Sequence, residues 1–152
     1  MNNQLNPMWV NGDKLESNES FSVENPATGE LIGSVPEINE CGVKEALIAA
    51  DSGFKVWSKY HPAKRKEHIL KYIEILEDNK ERLIKLLIQE TGKPQDNAEY
   101  DFGMLTTCLK FFIEEAERLD QPVLHDPEGR FHHYILRQPL GVVVGLLAWN
   151  FP

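Results

Sequence analysis

At 152 residues, with 41% hydrophobic and 26% charged residues, the chain has the composition of a soluble globular domain, which excludes intrinsic disorder and a collagen-like fibre. Its 16 basic against 24 acidic residues leave a formal net charge of −8, so the cationic surface required by nucleic acids or anionic membranes is missing. The expected partners are small molecules or protein. Two cysteines, Cys41 and Cys108, are too few for a disulfide framework and lack the paired spacing of a zinc site, so a reducing compartment, the cytoplasm, is expected. The opening MNNQLNPMWVNG has neither a basic nor an apolar leader region. The longest near-apolar run, Leu140 to Trp149, is about half the length of a membrane-spanning helix. The sequon at Asn18-Glu19-Ser20 is read as chance.

In chain order, the first forty residues predict short strands and turns. Trp9-Val10 precedes Asn11-Gly12, a pair that tolerates the positive φ of a tight hairpin. Strands follow over Phe21 to Val23 and Leu31 to Val35, separated by the loop Asn25 to Glu30, in which Pro26 presets φ and Gly29 permits a left-handed residue. Asn39 is a plausible N-cap. From Gly42 to Tyr60, residues Val43, Ala46, Leu47, Ala50, Phe54 and Trp57 step by three and four, as on one buried helical face. His61-Pro62 ends that helix. A second helix is predicted from about Ala63 to Thr91, with a polar interruption at Asp78-Asn79-Lys80, and Gly92 and Pro94 stop it. Asp96 and Glu99 resemble a capping arrangement for a third helix, which carries Phe102, Leu105, Leu109, Phe112, Ile113 and Ala116 and ends near Asp120.

Beyond Asp120, Val123-Leu124, the turn Asp126 to Gly129, and Phe131 to Leu136 predict a second hairpin. Gly141 to Leu147 is a continuous apolar run, which fits a parallel-sheet strand covered on both faces. Such a strand needs neighbours joined by crossover helices, and five residues remain after it, so its sheet is expected to lie outside this chain.

Few residues announce chemistry. Cys108 sits in a helical stripe without a basic neighbour and is expected in the core, and Cys41 has no base or orienting group beside it. His125, His132 and His133 lie on the second hairpin, where adjacent residues face opposite ways and cannot easily share an ion. Neither GxGxxG nor GxxxxGK[ST] occurs around Gly141 and Gly145. The informative segment is Leu146 to Pro152, where a buried strand would run into Trp149, Asn150 and Phe151, because strand C-termini are where open α/β sheets bind ligands.

Three stretches then carry a resemblance. PLGVVVGLLAWNFP resembles the aldehyde dehydrogenase segment in which a first nucleotide-domain strand ends in a PWNFP-like motif, with Ala148 standing where that family commonly has Pro. ENPATGELIGSVPE resembles its early NPATGE stretch, and QETGKPQDNAEYDF its E-x-GKP helix end. The matches occur in the family's order and spacing and span nearly the whole chain. The resemblance implies an α/β chain, the N-terminal part of the aldehyde dehydrogenase fold: a β-ribbon, three amphipathic helices, an oligomerisation hairpin and the first strand of a Rossmann-like sheet. The implied divisions are ribbon and helices over 1–120, the hairpin over 121–138, and the truncated strand over 139–152.

By the same resemblance, a cysteine thiolate attacks the aldehyde, the thiohemiacetal gives hydride to NAD or NADP, and glutamate-activated water releases the acid. Asn150 matches the asparagine whose amide stabilises the oxyanion. Leu147, Ala148, Trp149 and Asn150 would line the nicotinamide-ribose side of the cofactor, Phe151 would face the substrate tunnel, and Asp101 aligns with a position that helps hold a monovalent cation in some members. The nucleophile and general base come later than the WNFP-like motif, so the chain alone is expected to be inactive. The parent enzyme is expected to be a homodimer or homotetramer acting on an aldehyde, with succinate semialdehyde, lactaldehyde, betaine aldehyde and simple aliphatic aldehydes all open. The alternative is a standalone, non-catalytic binding or assembly module of the same origin.

Overall fold

The computed structural model describes residues 7–15, 17–119, 122–148 and 150. Two antiparallel ribbons come first. Strands β1 (Met8–Val10) and β2 (Asp13–Leu15) pair across Asn11-Gly12, whose φ values of 55° and 88° are the left-handed pair of a two-residue hairpin turn. Strands β3 (Ser20–Glu24) and β4 (Leu31–Pro36) pair with Phe21 opposite Val35 and a bulge at Val23/Glu24. Their loop is closed by the Gly29 amide donating to the Asn25 carbonyl at 2.7 Å and by the Ala27 amide donating to Asn25 Oδ1 at 2.9 Å.

Helix α1 (Glu40–Trp57) starts as expected, with Asn39 Oδ1 accepting from the Gly42 amide at 2.9 Å. The second predicted helix is two. Helix α2 (Pro62–Asp78) begins with Pro62 in its first turn, where a missing N–H costs nothing, and α3 (Lys80–Thr91) follows after one residue. Asn79 makes the break: its side-chain amide donates to the Ile75 carbonyl at 2.8 Å while its backbone leaves the helical region at φ −106°, ψ 9°. The chain therefore has four helices among the described residues, not three.

Helix α4 (Gln95–Glu115) corrects two further expectations. Its N-cap is Pro94, with no capping hydrogen bond from a side chain, so Asp96 and Glu99 form no capping box; Glu99 instead accepts from Gln95 Nε2 at 2.8 Å. The helix also ends five residues before Asp120. Its buried line is Ala98, Phe102, Thr106 and Ile113, and it packs on α2 and α3 so that Leu76, Ile84, Ala98 and Phe102 make the central apolar cluster.

The other helical faces are open. Cys108, expected inside, is exposed together with Leu105 and Phe112, because α2 and α3 occupy the Phe102 to Ile113 line and no described residue covers the next one. The predicted buried face of α1 is likewise exposed at Val43, Leu47 and Trp57. Strands β5 (Val123–His125) and β6 (His132–Tyr134) form the second hairpin, exposed throughout. Residues 135–148 carry no regular secondary structure. The apolar run read as a strand is not one among the described residues: it has no hydrogen-bonded neighbour there, and Leu140, Leu146 and Leu147 are 96%, 94% and 84% exposed.

Two outcomes are expected. Phe102→Ala empties the middle of the α2/α3/α4 cluster and should lower unfolding stability by about 3–5 kcal/mol, read from a urea titration followed by circular dichroism. The exposed run at 140–147 should drive self-association of the chain, seen as scattering mass rising with concentration, and Val143→Lys with Leu146→Lys should suppress it. A constant monomer mass for the unaltered chain would count against that reading of the run.

Candidate functional site

The turn between α3 and α4 sets the site. Gly92 caps α3 with φ 68°, and its amide donates to the Ile88 carbonyl at 2.9 Å. A Cβ at this position would stand 3.1 Å from Pro26 Cγ and 3.4 Å from Ala27, so the turn lies directly against the Asn25 to Gly29 loop. Two of the sequence stretches singled out above, NPATG and GKP, therefore meet in space. Pro94 then opens α4 in an extended conformation, leaving Lys93 on a short, fixed connection.

From there the Lys93 side chain reaches Asp101 and Asn150. Its ammonium pairs with the carboxylate of Asp101, and it donates to the backbone carbonyl of Asn150 at 3.2 Å. The pair is well shielded, with side chains 16% and 13% exposed, against 63% and 60% for the surface pair of Lys71 and Glu67. Shielding matters because exposed ion pairs contribute little, whereas a screened pair holds its geometry. Lys93 lies within the GKP stretch, which alone assigns it no role; its link to Asn150 joins residues 57 apart, which no local pattern encodes.

The remaining expected site residues are placed as follows. Asn150 is exposed, and Leu147 and Ala148 are exposed beside it; Trp149, Phe151 and Pro152 lie outside the described residues. Asp101 is engaged by Lys93, and among the described residues no cluster of three or more His, Cys, Asp or Glu could hold a metal. Cys41 is exposed, and its thiol donates to Glu45 Oε1 at 3.8 Å. His125 and His132 face each other across the ribbon with rings 5.4 Å apart, while His133 stands opposite Leu124. Glu67, whose carboxyl is held below its ordinary value chiefly by the hydrogen bond from Lys71, belongs to none of these groups.

The exposed Leu147 side chain offers apolar surface to a flat ring, and the amide of Asn150 offers a donor, but the chain has no glycine-rich phosphate loop. A second concavity is a groove of about 670 Å³ between α2, α3 and α4, lined by Leu83, Leu87, Met104, Leu105 and Cys108 among others. No helix is long and apolar enough to cross a membrane among the described residues.

Comparison with known proteins bears on the identity of the whole arrangement. The model of the aldehyde dehydrogenase family matches residues 9–152. A glutarate-semialdehyde dehydrogenase of Pseudomonas putida is 30% identical over 148 residues, covering 95% of this chain and 30% of that protein. The NADP(+) succinate-semialdehyde dehydrogenase 2 of Schizosaccharomyces pombe is 35% identical over 147 residues, again 95% of this chain and 30% of the relative. Among solved structures, succinate-semialdehyde dehydrogenase from Burkholderia pseudomallei superposes with a TM-score of 0.89 at 25% identity, covering 96% of this chain and 31% of that one. The chain thus spans about 30% of the length of the curated relatives it matches. Its ribbons, helices and hairpin are the N-terminal part of that α/β fold, and the chain belongs to the aldehyde dehydrogenase family.

Proposed function

We propose that this chain is the N-terminal portion of an NAD(P)-dependent aldehyde dehydrogenase that oxidises an aldehyde to a carboxylic acid, and that Asn150 is its contribution to the chemistry. The observation that carries the reading is the position of Asn150, at the end of the 140–148 segment with its backbone carbonyl tied to Lys93. An amide N–H does not titrate, so it can donate to an oxyanion at any pH the protein tolerates, and one well-aimed donor is worth about 2.7–4 kcal/mol in such a site. Leu147, Ala148, Trp149 and Asn150 are the residues that would line the nicotinamide-ribose side of NAD or NADP, which supplies the two-electron acceptor when bound. Phe151 would face the substrate tunnel.

Neither Cys41 nor Cys108, both exposed, matches the family's nucleophile. The thiolate that adds to the aldehyde, and the glutamate that activates water to release the acid, belong to the portion of the family this chain does not match. The hairpin over 121–138 is read as the oligomerisation ribbon of a homodimer or homotetramer, supported by the apolar surface it exposes at Leu124, Phe131 and Tyr134. Since the relatives described above act, by their names, on glutarate and succinate semialdehydes, carboxylate-bearing semialdehydes are the substrates to assay first. Asp101, which aligns with the position that helps hold a monovalent cation in some members, carries in this chain the ion pair to Lys93.

In the complete enzyme, Asn150→Ala should lower kcat by roughly 10²–10³ without changing the melting temperature, measured as NAD(P)H formation. An unchanged rate would remove Asn150 from the mechanism. The 152-residue chain alone should form no NAD(P)H from any aldehyde, and turnover by the purified chain would overturn the division of labour proposed here.

A further inference from the structure

We propose that Lys93, held in place by Asp101, is the positioning residue for Asn150, a role that rests on the reading of Asn150 as the oxyanion donor. Residues 140–147 have little else to place them: Leu140, Leu146 and Leu147 are almost fully exposed, and the segment has no strand partner among the described residues. Among the described residues, the Lys93 donor at 3.2 Å from the Asn150 carbonyl ties its end to the helices. Fixing that carbonyl fixes the adjacent Cα, and with it the origin from which the Asn150 amide is aimed.

Lys93 is equipped for the task at both ends. Its backbone lies between the left-handed Gly92, seated against Pro26 and Ala27, and Pro94 at the start of α4, so its Cα has little freedom. Its ammonium is paired to Asp101, the seventh residue of α4, and an ammonium has three donors, so pairing with the carboxylate does not compete with donation to Asn150. The pairing also shields most of the positive charge. Lys93 therefore acts through the Asn150 backbone and touches no reacting atom.

The test is a double-mutant cycle in the complete enzyme. Lys93→Met keeps the length and loses the donors; it should lower kcat roughly 10–100-fold, the scale of a misplaced catalytic group, with aldehyde KM changed less than about 3-fold. Lys93→Arg, which keeps a cation and donors, should recover most of the rate, and Asp101→Asn should fall between the two. In the Asn150→Ala background, Lys93→Met should cost little more, because the group it positions is already gone. An equal loss in both backgrounds, or full kcat for Lys93→Met beside an impaired Asn150→Ala, overturns the positioning role alone. An unimpaired Asn150→Ala overturns the oxyanion reading and this inference with it. Should Lys93→Met fail to fold, Asp101→Asn and Lys93→Arg carry the same cycle.

Discussion

The fit of Gly92 against the loop over Asn25 to Gly29 is the constraint on which the arrangement turns. At φ 68° an L side chain is strained, and an added Cβ 3.1 Å from Pro26 Cγ would make that ring give by a few tenths of an ångström, so the position favours glycine on two independent grounds. That seat lets α3 stop and α4 start within three residues, so the two helices pack closely enough to enclose Ile84, Ala98 and Phe102 with Leu76 of α2. Ala98 is fully buried, which the close approach of α3 and α4 requires and a larger side chain would prevent. The same turn aims Lys93 at Asp101 and Asn150. One backbone conformation thus serves packing and site geometry at once.

The core built on this turn is small beside the apolar surface left open. Val43, Leu47 and Trp57 on α1, Leu105 and Phe112 on α4, and the run from Leu140 to Leu147 are all exposed. Open apolar surface on this scale marks places where another element belongs. The chain spans about 30% of its curated relatives' length. On the reading proposed above, the α1 face, the second face of α4 and the 140–147 run are contact surfaces awaiting the remainder of the fold.

How legible this was in the sequence depends on the range of the interaction concerned. Asn11-Gly12, the Asn25 to Gly29 loop, the Asn39 cap and the Gly92 stop are decided by one or two residues and their own backbone preferences, and all are found as expected. Asn79 was visible as a polar interruption, but whether such a residue bends a helix or ends it depends on where its amide goes, and here it takes the Ile75 carbonyl. Asp96 failed as a cap because Pro94, two residues earlier, already starts the helix. Cys108 and Leu105 failed as core because periodicity identifies an apolar face without saying which neighbour covers it. The Lys93 link to Asn150 belongs to the same class, since it exists only once the fold has brought distant segments together.

On the reading proposed above, the division between Lys93 and Asn150 also has an electrostatic reason. A lysine placed directly at a developing oxyanion would attract it, but would equally attract any carboxylate, including the acid product, and would hold it after reaction. A neutral amide stabilises charge that develops on a correctly placed oxygen and binds a free carboxylate less strongly. With its ammonium shielded by Asp101 and donating to a backbone carbonyl, Lys93 would on that reading supply position while its charge stays out of the reaction. Substrates that themselves bear a carboxylate sharpen the point, because an unpaired cation beside the aldehyde would draw the wrong end of the molecule into place.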